Sequence, residues 1–282
     1  MLAPLNNEIV FKIAFQNKIV FTQFVKDIIG IDFEGKIETE KRFIAKHSNI
    51  DFKLDIFAES SDKRVIIEIQ RIAYDYHFDR FLGNFLNTIT EQQQSSSDYT
   101  IQQEVYSIIV LTTPYKIDAR TGMVIDDEYL IQNLDPENLQ KQRRPIFGHK
   151  QIFLNPYYLK SNTPNPIKDW LVLINESIKN PENYQVNEEN IGIRTAVSLI
   201  EKDSFDSETW HKIKIANETR NTQIVSETKK YNEGIKIGEQ IGLEKGKKEG
   251  KFETAKKLKA KGMGIDLIQD VTGLSFQEID NL

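Results

Sequence analysis

The 282-residue chain contains no cysteine, which excludes disulfide bonds and metal sites built from thiolates. It has no apolar run of the length that a membrane-spanning helix requires. Its first residues, MLAPLNNEIVFKIAF, have neither the basic start nor the small-residue cleavage site of a secretory signal peptide. From these absences we expect a soluble, cytoplasmic protein without a membrane partner.

Charge is distributed unevenly along the chain. The hydrophobic content of 39% is that of an ordinary globular protein. Residues 229–261 contain eleven lysines and five glutamates, a net charge of +6, which leaves −11 for the rest of a chain with a total of −5. A basic end is typical of a segment that binds a polyanion, whereas an acidic remainder concentrates carboxylates. Within the basic end, Lys245, Lys247 and Lys248 are the candidates for contacts with the phosphates of such a polyanion.

Hydrophobic periodicity and turn residues outline the secondary structure. Helices are predicted at 7–16, capped by Asn6 or Asn7, and at 19–29, where Gly30 ends the helix. The further elements are predicted as strands at 51–58, 65–70, 105–112 and 151–154 and as helices at 74–94 and from 166 onward, the last with Trp170, Leu171, Leu173 and Ile174 on one face. The mixture of strands and helices indicates an α/β fold.

The strand VIIEIQR combines β-branched residues typical of a buried strand with the polar residues Glu68 and Gln70. If it forms a hairpin with the preceding strand through the polar turn SSDK, Asp55 lies opposite Glu68 and Lys53 lies opposite Gln70. These four side chains then share one face of the hairpin. The other face is predicted to hold the apolar residues Leu54, Ile56, Ile67 and Ile69.

The opposed carboxylates of Asp55 and Glu68 repel each other, so a purely structural hairpin gains nothing from them. A hard divalent cation reverses that effect, and Mg²⁺ in particular binds carboxylate oxygens together with waters and a substrate phosphate. We therefore interpret the pair as a Mg²⁺ site, beside which Gln70 and Lys53 orient an attacking water and bind a phosphate. The alternative is a solvated edge hairpin in which Lys53 balances the charge of Asp55.

The same residues resemble a known signature. Asp55, followed thirteen residues later by Glu68-Ile69-Gln70, resembles the D…(D/E)xK pattern of the PD-(D/E)xK nuclease superfamily. The flanking LDIFA and IIEIQR are similar to its recombination-promoting nuclease branch, also described as nuclease-family transposases. The segment NNEIVFKIAF resembles the opening helix of that branch, with Glu8 at its acidic position. The resemblance covers residues 5–115 and, in the style of the Gly/Lys/Glu-rich tail, 234–282.

The resemblance implies an αβββαβ core with a mixed sheet and metal-dependent cleavage of DNA. The implied metal ligands are the side chains of Asp55 and Glu68, the Ile69 carbonyl and, through a water, Glu8. Gln70 stands where the superfamily usually has a lysine, and Lys53 is either the replacement for that lysine or a solvated strand residue. Arg80, in the helix after the third strand, either faces the site and holds a phosphate or forms an ion pair with Asp79 or Asp75.

Five glycines recur every fourth residue over 234–250, within the basic end. Glycine at this spacing lets two helices approach closely, which would favour a homo-oligomer through this helix, but a low-complexity spacer has the same pattern. Beyond it, Ile265–Leu282 is predicted to form two short helices, with a stop at Gly273 and a capping box from Ser275 to Glu278.

Together these features predict an α/β protein with a PD-(D/E)xK nuclease-like αβββαβ core, a mixed sheet and a helical C-terminal extension. We expect a nuclease-like domain at 1–160, a helical region at 161–230, and a repeat helix with a helix-turn-helix-like tail at 231–282. The predicted function is Mg²⁺-dependent endonucleolytic cleavage of DNA, linked to recombination or mobile elements. The alternative is a catalytically weak protein that keeps the fold to bind DNA or a partner.

Overall fold

The computed structural model of the chain describes residues 1–43, 52–71, 77–93, 99–118 and 122–282. Its helices are α1 (Glu8–Phe15), α2 (Lys18–Ile29), α3 (His77–Thr90), α4 (Asn165–Lys179), α5 (Ile191–Ile200), α6 (Ser207–Ala260), α7 (Ile265–Thr272) and α8 (Phe276–Asp280), with short 3-10 helices at Pro156–Tyr158 and Lys202–Ser204. Its strands are β1 (Lys36–Phe43), β2 (Phe52–Glu59), β3 (Lys63–Gln70), β4 (Glu104–Leu111), β5 (Tyr115–Asp118), β6 (Met123–Ile125), β7 (Tyr129–Asn133) and β8 (Lys150–Leu154). The predicted strand start at Asp51 and the predicted helix start at 74–76 lie outside the described residues.

The main sheet is mixed, with its strands in the spatial order β1-β2-β3-β4-β8-β7. Strands β3, β4 and β8 run parallel to one another, while β1–β2, β2–β3 and β7–β8 pair antiparallel. The parallel strands are covered on both faces, as their long apolar runs predict. Strands β5 and β6 pair as a separate ribbon. The predicted α/β class with a mixed sheet is thereby confirmed.

Helices α1 and α2 are delimited by capping residues that are visible in the sequence. The Asn7 side chain accepts hydrogen bonds from the backbone N–H groups of Ile9 and Val10, and Asn17 caps α2 in the same way. Gly30 ends α2 with a φ of +80°, a left-handed backbone that glycine adopts at little cost. The helix ends predicted at Asn7 and Gly30 are confirmed.

One face of the sheet is covered by α1, α2, α4 and α5, which share a hydrophobic core with it. The ring centroids of Phe24 and Trp170 lie 5.0 Å apart in an edge-to-face contact, and those of Phe15 and Phe24 lie 4.9 Å apart. The indole N–H of Trp170 donates to Asp27, which satisfies this polar group inside the core. The predicted buried face of α4 is confirmed by the burial of Trp170, Leu171, Leu173 and Ile174.

The chain divides into two compact units, Met1–Asn217 and Glu218–Leu282. Helices α4 and α5 belong to the first unit because their apolar faces pack in the core shared with α1 and α2. The predicted divisions at residues 160 and 230 differ from this boundary. Periodicity in the sequence indicates that a helix has an apolar face, but it does not indicate which element covers that face.

Helix α3 packs on the opposite face of the sheet. Its residues Phe85 and Ile89 share a cluster with Phe57 of β2 and Ile66 of β3, and Phe81 packs in a neighbouring cluster against β4 and β8. Helix α3 therefore lies on the face of the hairpin opposite to α1 and α2. Polar residues of α3 and α1 can consequently reach the hairpin from its two sides.

In the second unit, α7 and α8 pack on the C-terminal part of α6. Helix α7 ends at Gly273 with a φ of +67°, and Ser275 and Glu278 form the reciprocal capping box that starts α8. Both features are as predicted. The buried core of this unit consists of Ala255, Ile268, Leu274 and Ile279.

No helix in the ranges described above is long and apolar enough to cross a bilayer.

Candidate functional site

Strands β2 and β3 form the predicted hairpin in the predicted register. Cross-strand pairs run from the turn as far as Ile56 opposite Ile67. Regular pairing stops there. The next pair in this register would be Asp55 on β2 opposite Glu68 on β3, and it is not formed. The two carboxylates therefore lie at the end of the regular ladder and not inside it.

The Asp55 carboxylate lies between two irregular strand pairings. Its Oδ2 accepts a hydrogen bond from the backbone N–H of Ile69 on β3 over 3.3 Å. On the other side, β1 pairs with β2 through Thr39 and Lys41, but Glu40 between them has a φ of +55°. A left-handed backbone is uncommon for a residue other than glycine, and it interrupts the ladder at this point.

This irregularity changes the face to which the first residues of β2 point. Ile56 packs in the core beneath α1 and α2, as predicted, whereas Leu54 packs with Phe52 and Phe57 in the cluster beneath α3. The prediction that Leu54 shares a face with Ile56 is therefore wrong. Strict alternation requires an uninterrupted ladder, and the interruption here shifts the alternation by one position.

Glu68 is a buried carboxyl group, with 7% of its surface exposed. Asn84 Nδ2 donates a hydrogen bond to its Oε1 over 3.4 Å. Burial, followed by the charge of Asp55, raises the pKa of Glu68 to about 8. Burial and the charge of Glu8 likewise raise the pKa of Asp55. Ionisation of both carboxyl groups is therefore costly, and a divalent cation offsets that cost.

Arg80 approaches the two carboxylates from α3. Its Nη2 donates to Gln70 Oε1 over 2.6 Å, and its positive charge opposes the rise in both carboxyl pKa values. This contact brings Arg80 to the strand that carries Glu68. Asp75, a partner in the alternative ion pair, lies outside the described residues, so both predicted roles of Arg80 stay predictions. Asn84 was not predicted, although it follows Arg80 by four residues and so lies on the same helical face.

Helix α1 contributes two charged residues that are one turn apart. Glu8 and Lys12 contact each other, and Lys12 Nζ also lies 2.7 Å from Glu40 Oε1 and 4.0 Å from Asp55 Oδ1. Sequence reasoning identified Glu8 but missed Lys12. The i, i+4 spacing from Glu8, which puts both residues on one face of the helix, is the signal that would have identified it.

Lys53 lies in a different place from the predicted one. Its Nζ lies 3.3 Å from Glu40 Oε1, and 40% of its side chain is exposed. The pairing of β2 with β3 does not extend to Lys53 and Gln70, so the predicted contact between them is not formed in these strands. The cause is the interruption at Asp55, because the predicted register reaches Lys53 only if pairing continues past that residue.

The three lysines predicted to contact DNA lie on α6 in the second unit. Lys245 Nζ lies 4.0 Å from Glu249 Oε1, and Lys248 Nζ lies 5.7 Å from the ring centroid of Phe252. Lys247 is exposed, like its neighbours. Exposed contacts of this kind are weak and leave the positive charge accessible to a polyanion. DNA binding by these lysines stays a prediction.

The chemistry of the carboxylate pair fits a hard cation. In the part of the chain that the structure describes, no group of three or more His, Asp or Glu side chains is arranged to hold a metal ion. Mg²⁺ needs fewer protein ligands, because it keeps several waters and binds through one or two carboxylates. Asp55 and Glu68 meet that requirement. The Ile69 carbonyl as a third ligand and Glu8 acting through a water stay predictions.

Comparison of the chain with protein-family models, curated proteins and solved structures finds no significant match in any of the three. The class of the protein is therefore defined here by its fold and its site. The chain is an α/β protein with a mixed sheet, in which a buried glutamate and a neighbouring aspartate lie where the pairing of a hairpin is interrupted, and helices α1 and α3 contribute charged side chains near them.

Proposed function

We propose that the chain is a Mg²⁺-dependent endonuclease that hydrolyses phosphodiester bonds of DNA, in recombination or in mobile elements. The observation that carries the proposal is the burial of Glu68 beside Asp55. Within the described ranges Glu68 forms no direct ion pair with a lysine or an arginine, and its side chain is bonded to the neutral Asn84. Two carboxyl groups that destabilise each other are typical of a site adapted to a ligand.

The residues of the site take distinct roles in this proposal. Asp55 and Glu68 hold the cation, which when bound supplies a water-derived nucleophile and stabilises the negative charge that develops on the phosphate. Gln70 and Arg80, joined by their hydrogen bond of 2.6 Å, reach the substrate. The amide of Gln70 orients the attacking water, and the guanidinium of Arg80 binds a non-bridging phosphate oxygen. The lysines of α6 bind the DNA backbone.

The order of elements supports the same function. After the two N-terminal helices, the chain continues through β1, β2, β3, α3 and β4, which is compatible with the αβββαβ order that the nuclease resemblance implies. Asp55, Glu68 and Gln70 occupy the positions of the D…(D/E)xK pattern, with glutamine in place of lysine.

A second candidate function is DNA or partner binding with little or no catalysis. The nature of Gln70 favours it, because a glutamine bonded to Arg80 lacks the ammonium group that assists the attacking water in the resembling nucleases. In that case the carboxylate pair binds a cation without hydrolysis, and the site serves recognition.

Incubation of the purified chain with supercoiled plasmid DNA separates these functions. We expect nicking with Mg²⁺, none with EDTA, and none in Asp55→Asn or Glu68→Gln. The matched control is Asp62→Asn, which removes an exposed carboxylate at the turn of the same hairpin and is expected to retain nicking. DNA binding without nicking supports the second candidate. Absence of both nicking and DNA binding contradicts both.

A further inference from the structure

The ammonium group of Lys12 is surrounded by carboxylates from three elements. It contacts Glu8 on its own helix, lies 2.7 Å from Glu40 Oε1 on β1 and lies 4.0 Å from Asp55 Oδ1 on β2. Its side chain is only 13% exposed. Lys12 is also, among the residues that the structure describes, the one cation within ion-pair distance of Asp55.

Lys12 keeps its positive charge in this position. Burial alone lowers the pKa of a lysine, but the hydrogen bonds to Glu40 and Glu8 and the charge of Asp55 outweigh it, so that the pKa of Lys12 is raised. The group is therefore a permanent ammonium at neutral pH. The Lys12 side chain is largely covered, whereas Glu8 and Glu40 are about half exposed, so these ion pairs add little to stability and mainly constrain where the three carboxylates lie.

Lys53 provides the contrast within the same cluster. Its side chain is 40% exposed, and its ion pair is with Glu40 over 3.3 Å. Both lysines thus meet Glu40, but Lys12 additionally reaches Asp55, which belongs to the carboxylate pair of the candidate metal site. The two lysines carry the same charge and differ in their distance from that pair, so they form a natural comparison.

We propose that Lys12 is a positioning residue that acts as an internal counter-cation, holding Glu8, Glu40 and Asp55 together in the metal-free protein and competing with a divalent cation for Asp55. This inference rests on the proposed function insofar as the competing ligand is the metal ion. A cation that binds Asp55 has to approach the ammonium group, and the repulsion between them lowers metal affinity. In return, the ammonium group keeps the carboxylates in place before the metal ion arrives.

The test measures binding of Mn²⁺ alone, by the electron paramagnetic resonance signal of the free ion, with Mg²⁺ added as a competitor. Removal of one positive charge near the site in Lys12→Met is expected to tighten Mn²⁺ binding about tenfold. Lys12→Arg keeps the charge and is expected to bind as the wild type does. Lys53→Met is the matched control, with an expected change of less than about twofold because its charge is exposed and screened. Circular dichroism verifies the fold, and Lys12→Gln replaces Lys12→Met if the latter does not fold.

The outcomes separate this inference from the proposed function. If the wild type binds Mn²⁺ and Lys12→Met binds it more tightly, the role of Lys12 and the proposed function are both supported. If the wild type binds Mn²⁺ and the folded Lys12→Met variant binds it equally or more weakly, the role of Lys12 is contradicted and the metal site stands. If only the variant binds, Lys12 is the occupant of the carboxylate cluster and the proposed function fails. If neither protein binds, both fail. A merely structural role predicts weaker binding in Lys12→Met, which is the opposite sign.

Discussion

The backbone N–H of Ile69 donates a hydrogen bond of 3.3 Å to Oδ2 of Asp55, across the two strands of the central hairpin. A side-chain carboxylate thus receives the strand hydrogen bond at the point where the regular ladder between β2 and β3 has stopped. The contact holds Asp55 near Glu68, whose pKa is raised by burial and by the charge of Asp55. The repulsion between the two carboxylates, which adds to the effect of burial on the pKa of Glu68, therefore depends on the geometry of the hairpin.

Glu68→Gln is expected to stabilise the metal-free protein while it abolishes cleavage. The substitution removes a buried group whose ionisation is opposed by burial and by Asp55, so we expect the free energy of unfolding at pH 8 to rise by several kcal/mol. Urea denaturation in EDTA measures this gain. In the control Asp62→Asn we expect no gain, because contacts with Lys63 and Ser60 hold the pKa of Asp62 below its usual range. A large loss of stability in Glu68→Gln would show that the carboxylate has a structural role.

The raised pKa of Glu68 predicts how stability depends on pH. In the unfolded chain this group loses its proton near its ordinary pKa of 4.5, whereas in the folded protein it keeps the proton up to about 8. Between these values the folded state binds more protons, so the free energy of unfolding falls as pH rises, and the loss is complete above the folded pKa. Denaturation of wild type and Glu68→Gln in EDTA at about pH 5, 6.5 and 8 isolates this contribution. Parallel pH profiles for the two proteins would contradict the assignment.

Replacement of Lys245, Lys247 and Lys248 by glutamine is expected to weaken DNA binding and to flatten its salt dependence. Each lysine that contacts a phosphate contributes about 0.9 to the slope of log affinity against log salt, so the slope should decrease by about 2–3. Truncation before Lys229 should act in the same direction, and both variants should keep residual Mg²⁺-dependent cleavage. Fluorescence anisotropy over a salt series gives the slope.

The control for that experiment changes neighbouring acidic residues of the same helix. These are Glu239, Glu244 and Glu249, each replaced by glutamine. The control variant is expected to bind DNA at least as tightly as the wild type, since it removes negative charge. An unchanged salt slope in the lysine variant would assign this helix to protein contacts.

Substitutions at Lys53 and Gln70 are expected to have additive effects on the cleavage rate. Lys53 contacts Glu40 and Gln70 contacts Arg80, so the double variant Lys53→Gln with Gln70→Lys does not exchange a charge between neighbours. Plasmid nicking rates of the two single variants and the double variant give the coupling. The comparison cycle is Gln70→Lys with Arg80→Gln, in which the residues are in contact and coupling is expected. Recovery of activity in the Lys53 cycle would show that these two positions share a role after all.

Replacement of the α6 glycines by alanine distinguishes a spacer from a helix-packing stripe. A Cβ atom added at 234, 238, 242, 246 or 250 meets nothing within 4 Å in this chain. We therefore expect each Gly→Ala change to stabilise the helix by about 0.5–1 kcal/mol, without altering the oligomeric state. Thermal denaturation by circular dichroism and light scattering measure the two effects. Loss of an oligomer in the variant would instead identify the stripe as an interface between two copies of the chain.

The sequence alone determined those features that depend on a few neighbouring residues. Asn7 and Gly30 delimit the N-terminal helices, and Ser275 with Glu278 starts the last one, because a cap is a bond between residues two to four positions apart. The turn residues and the alternating pattern also determined the hairpin register, and with it the proximity of Asp55 and Glu68. The candidate carboxylate pair was accessible to sequence reasoning for that reason.

Only the tertiary structure decided which lysine accompanies the pair. The predicted alternation placed Lys53 beside Gln70, but the left-handed backbone of Glu40 and the bond from Ile69 to Asp55 interrupt the ladder before Lys53. The lysine that comes within 4.0 Å of Asp55 is instead Lys12, which comes from α1 and is 43 positions away along the chain. Such a contact depends on how a helix packs on a sheet, and packing is set by the combined shape of many apolar side chains and not by local periodicity.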